Sequence, residues 1–213
     1  MAEIGYFGTY ARFSTDDKEE AAQFLTSNNV VGHPFTITST YEQGERSTWI
    51  VNPFGQNMGR LDNALGEQVD VLDARGWTTV ALLSFVAFSQ EPAPGEYWGE
   101  VAIISYDPAN AAAFEGFVRE VGSMMAQGIR PSLNLGQESL RSIVAANGKW
   151  KPTGREPLPE LGKGEAFVKT EKLAEEHIVD VARRHPKGCS VLSIIFMAAL
   201  AVAIIFAVVS CMS

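Results

Sequence analysis

TVALLSFVAFS, Thr79 to Ser89, and YWGEVAIISY, Tyr97 to Tyr106, are the most strand-like stretches of this chain. Both are rich in β-branched and aromatic residues. The first is almost wholly apolar, which predicts a central strand covered on both faces. Glu91-Pro92-Ala93-Pro94-Gly95-Glu96 between them reads as a connecting loop, because Pro and Gly punctuate regular structure.

The remaining elements are arranged around this pair. N-terminally, Ile4 to Phe13 reads as a strand, and Ser14, Thr15, Asp16 and Asp17 supply caps for a helix running to about Thr26. Pro34 to Tyr41 and Ser47 to Asn52 form a hairpin about Gln43-Gly44-Glu45. The turn formers of Asn52 to Gly59 predict a loop. Arg60 to Asp73 is read as a helix on Leu61, Leu65, Val69 and Leu72, although its QVDVLD alternation suits a strand.

On the C-terminal side, Asp107-Pro108 places a cap and a first-turn proline at the start of a helix. Phe114, Phe117, Val118, Val121, Met124 and Met125 give it an apolar face, and Gly128 closes it. A shorter helix follows between Gly136 and Asn147. Strands and helices mix without regular βαβα alternation. The expected fold is therefore α+β, a mixed or antiparallel sheet packed on helices in one globular domain over residues 1–148. Residues 149–169, with Pro152, Pro157, Pro159, Gly154, Gly162 and Gly164, read as a linker. Residues 170–185 read as an amphipathic juxtamembrane helix with Leu173, Ala174, His177, Ile178 and Val181 on one stripe.

Residues 190–210 contain VLSIIFMAALAVAIIFAVV, Val191 to Val209, in which Ser193 is the only polar side chain. At about 1.5 Å per residue this length matches the roughly 30 Å hydrocarbon core of a bilayer, so a transmembrane helix is expected. The N-terminal stretch MAEIGYFGTYARF has no basic n-region followed by an apolar run, and so does not read as a secretory signal. Arg183, Arg184 and Lys187 lie just before the span, and the positive-inside rule puts the globular part in the cytoplasm. The expectation is a tail-anchored, single-pass protein. Ala199, Ala203 and Ala207 recur every four residues along the span, a spacing that allows two helices to approach closely and predicts a homodimer.

Charge is uneven along the chain. Residues 1–147 hold 8 Lys/Arg against 18 Asp/Glu, while residues 148–213 hold 9 against 7. An acidic domain argues against nucleic acid as a partner, since phosphate binding needs a basic face. The two cysteines, Cys189 and Cys211, flank the span. A helix would hold them roughly 33 Å apart, too far for an intrachain disulfide. Their absence from residues 1–188 fits a reducing compartment.

The search for chemistry returns little. No phosphate-binding loop, dinucleotide fingerprint, zinc motif or nucleophile elbow is present, and no catalytic residue, cofactor or metal ligand is assigned. Three functional readings remain. One is a non-catalytic module that binds a protein or small ligand, with Glu96, Tyr97 and Trp98 as an acidic, aromatic recognition surface. Another is a membrane-tethered enzyme using Asp70 or Asp73 with His33. A dimeric membrane scaffold is the third reading.

Overall fold

The computed structural model describes residues 3–15, 25, 29–42 and 45–172. Seven strands appear among them: β1 (Tyr6–Ser14), β2 (Pro34–Glu42), β3 (Glu45–Val51), β4 (Asn57–Leu61), β5 (Thr78–Ser89), β6 (Glu96–Tyr106) and β7 (Glu165–Lys169). The described helices are α1 (Asn63–Ala74), α2 (Ala111–Ala126) and α3 (Gln137–Ala145). The expected helix to Thr26 falls largely on residues outside the described ones. Nearly all of the expected juxtamembrane segment, and the whole span with Arg183, Arg184, Lys187, Ala199, Ala203 and Ala207, also lie outside them.

The expected α+β sheet is corrected. The strands run in the order β2-β3-β4-β1-β6-β5, and β5 pairs back to β2, closing a six-stranded barrel in which every pairing is antiparallel. Closure satisfies sheet edges that an open arrangement would leave exposed. Residues 149–169 read as a linker from sequence alone. β7 lies within it and pairs with β5, and the compact unit runs on to Lys172.

Face alternation follows from the pairing. Tyr6 lies opposite Tyr106, so Tyr6, Gly8, Tyr10 and Arg12 share a face with Tyr106, Ile104, Ala102, Glu100 and Trp98. That face is the outer one. Phe114 of α2 stacks on both Tyr6 and Tyr106, at 5.7 and 5.2 Å between ring centroids. The opposite residues, among them Phe13, Val101 and Ile103, are buried. Gly99 lets β6 bend across Phe13: a Cβ there would lie 2.5 Å from Phe13 Cζ and 2.4 Å from the Phe85 carbonyl.

β5 is shared along its length. Its first half pairs with β2 at Ala81 and Leu82, and its last residues pair with β7 from Val86 to Ser89. Between the two, Gly32 N donates to Leu83 O at 2.8 Å. The buried Lys169 ties the seam together by donating from Nζ to Asn29 O at 3.0 Å. α1 packs against β3 and β5, with Val69 and Leu72 buried and Asp62 capping its start through Leu65 N.

Candidate functional site

The outer face of β6 carries a buried acid. Glu100 is 8% exposed in a strand that is buried from Trp98 to Tyr106. A carboxylate there is costly without partners. Local sequence supplies one of them. The β5–β6 register slips between Leu83 and Phe85, leaving Ser84 as an extra residue in the bulge, where it favours the charged form of the Glu100 carboxylate. Bulges re-aim side chains in this way.

The other partner comes from 30 residues away. After α2 ends, the chain turns at Gly128, whose φ is +74°, and Arg130 points back at the sheet. Its Nε donates to Glu100 Oε1 at 3.0 Å and its Nη2 to Oε2 at 2.9 Å, a two-pronged pair. Nη1 donates to Pro157 O and lies 3.8 Å from the Glu156 carboxylate. The guanidinium also sits over the Tyr10 ring, 3.8 Å from its centroid. Tyr10 Oη donates to Pro131 O at 2.7 Å.

Burial sets the electrostatics. It pushes the Glu100 carboxyl above its ordinary range, and Arg130 and Ser84 only partly offset this. Burial likewise holds the Tyr10 and Tyr6 hydroxyls far above the usual phenol range.

A crevice of about 270 Å³ opens beside this network. Arg130 and Ser84 form its polar floor. Met125, Ile129 and Leu158 give it an apolar wall, and Thr170 and Glu171 stand at one side. Four separate segments build it: β5 at Ser84, the end of α2 with the turn to Arg130, the strap of residues 149–164 at Leu158, and the residues just after β7.

The residues singled out from sequence are dispersed. Trp98 is 4% exposed and lies in a second apolar cluster with Phe85 and Ala87, packed against Leu161 and Phe167. Arg12 covers its ring at 3.8 Å. Tyr97 points the other way and packs on Phe88 at 5.0 Å. Glu96 begins β6 opposite Ser89. These three side chains therefore do not form one shared surface. Asp70, on α1, accepts from Ser39 Oγ at 2.8 Å and faces Arg46 Nε at 3.3 Å. Asp73 accepts from Thr79 Oγ1 at 3.0 Å. His33 follows the Gly32 turn, with its backbone bonded to Val30 and Leu83. None of the three lines the crevice.

Sequence reasoning missed the pairing of Glu100 with Arg130. A charged residue at the head of the apolar run VAIISY, Val101–Tyr106, was the available signal, because buried charges require partners. Among the described residues no group of three His, Cys, Asp or Glu side chains could hold a metal, and no helix is long and apolar enough to cross a membrane. No protein-family model matches the chain, no curated protein matches it, and no solved structure matches it.

Proposed function

We propose that the barrel is a non-catalytic binding module, held at the cytoplasmic face of a membrane by the apolar stretch Val191–Val209. The dispersal of the candidate catalytic groups supports this reading. Asp70 and Asp73 lie on α1 and His33 in the turn before β2, none of them lines the crevice, and the two aspartates are already engaged by structural partners. A general base needs hydrogen-bond reach of a reacting group within a shared pocket. The crevice beside Arg130 offers concavity, an apolar wall and a few polar groups, which are the requirements of a ligand site. The membrane half of the proposal rests on hydropathy and on Arg183, Arg184 and Lys187. The row Ala199, Ala203 and Ala207 adds a homodimer packed through the span.

Fractionation of lysed cells tests the anchor. The full chain should pellet with membranes through an alkaline wash and be released by detergent, while a chain ending after Lys172 should stay in the supernatant. Recovery of the full chain in a vesicle-free supernatant would overturn the membrane reading. Leu substitution at the three alanines should weaken association of the span in a membrane two-hybrid assay.

A further inference from the structure

We propose that β7 and its flanks, Leu158 to Lys172, form a latch that shuts the crevice and opens as one unit while the six-stranded barrel stays closed. This rests on the reading of the crevice as a ligand site and names what controls access to it.

β7 stands outside the ring. The barrel closes through β2 and β5, so undocking β7 leaves every pairing of the ring intact. The apolar contacts of the latch also lie apart from the main core. Leu161 and Phe167 pack on Phe85, Ala87 and Trp98, a small cluster separate from the one that holds α2 on the barrel. Opening below the level of the whole fold follows such units of packing.

The docked state carries a cost at this cluster. Trp98 is 4% exposed, and its Nε1–H has no hydrogen-bond partner. Water satisfies that donor once the cover lifts. Beyond the β5 ladder, Lys169 Nζ donates to Asn29 O, Lys172 N to Ala126 O and Gln90 N to Gly164 O, each at 3.0 Å. The chain just before Leu158 is tied to the barrel side instead. Glu156 N donates to Arg130 O at 2.8 Å, and Pro157 O accepts from Arg130 Nη1. The latch therefore hinges next to Pro157.

Both flanks of β7 line the crevice. Leu158 comes from the segment before it and Thr170 and Glu171 from the segment after it, and they close the space against Ser84, Met125 and Arg130. Undocking carries these three away together and leaves the rest of the lining as open surface. A ligand that fills the crevice accordingly holds the latch shut.

Hydrogen exchange of the full chain in lipid nanodiscs, read by mass spectrometry, tests this. The slowest amides of residues 162–169 should exchange at least a hundredfold faster than the slowest of Val101–Tyr106 in β6. Ser89 and Glu165 are cross-strand partners, so Ser89→Cys with Glu165→Cys can be bridged. In a chain that also carries Cys189→Ser and Cys211→Ser, the bridge should slow exchange of residues 162–169 at least tenfold. Met125, 2% exposed, reports on the crevice. Its oxidation by peroxide should be at least threefold slower in the bridged chain than in the Cys189→Ser, Cys211→Ser parent. Equal exchange in the two segments, or fast exchange that survives the bridge, overturns the latch. Slower exchange with Met125 oxidation unchanged overturns its control of the crevice. No ligand is needed for either result, so the ligand-site reading stands or falls separately.

Discussion

Glu100 and Arg130 show how one pair can organise a region. Arg130 holds β6 through Glu100, β1 through the Tyr10 ring, and the strap through Pro157 O. Arg130→Met should cost about 3–5 kcal/mol at neutral pH, because it leaves a buried carboxylate without its cation. The cost should shrink in acid. Glu100 binds its proton more tightly in the folded chain than in the unfolded one, and loss of Arg130 strengthens that difference. The stability this lends is full below the ordinary value of 4.5 and is lost as pH rises through the folded value. The gap between wild type and Arg130→Met should therefore widen from about pH 4 to about pH 8 in paired denaturant titrations. The double variant Glu100→Gln with Arg130→Met should recover much of the loss, since neither charge is then stranded. A gap independent of pH would show that the carboxylate is not what Arg130 serves.

At the scale of elements, α2 is fixed by a contact between two glycines. Gly32 adopts a φ of +81°, and a Cβ on Gly122 would lie 2.4 Å from the Gly32 carbonyl. The helix can lie this close only because neither residue has a side chain. Gly122→Ala should push α2 off the barrel and cost about 1–3 kcal/mol, as overpacking does. Gly136→Ser, at the start of α3 where a Cβ would meet nothing within 4 Å, should be neutral in the same thermal melts. Equal losses in the two variants would mean that the Gly32 contact does not set the helix position. β7 is the other telling element. Its Phe167 packs edge-on to Phe85 at 5.1 Å, and Lys169 reaches Asn29, so a five-residue strand closes the cluster that holds Trp98.

For the molecule as a whole, the six-stranded barrel is supported by β7 on the edge of β5. A chain ending after Lys172 should melt cooperatively. One ending after Gly148 should lose about 10 °C or more, because the β5 edge, the cover over Trp98 and the Pro157 contact to Arg130 go together. Matching melts for the two would restore residues 149–169 to the role of a linker. Much of this architecture was legible in the chain. The apolar runs of β5 and β6, the β2–β3 hairpin, the Asp107-Pro108 start before α2 and the apolar face of that helix depend on local alternation and capping, which neighbouring residues carry among themselves. The strap misled because its prolines and glycines remove regular local hydrogen bonding, yet they do not prevent Phe167 and Lys169 from docking on a distant strand. The sequence by itself determined β1, β2, β3, β5, β6 and the three described helices and marked an apolar stretch of membrane-spanning length, whereas β4 and β7 lie in stretches that read as loop and linker. Only the tertiary structure decided that β5 meets β2 to close a barrel, that a bulge turns Ser84 toward Glu100, and that Arg130 completes the pair. Those outcomes depend on which strands become neighbours, and periodicity records the face a residue occupies without recording what lies across from it.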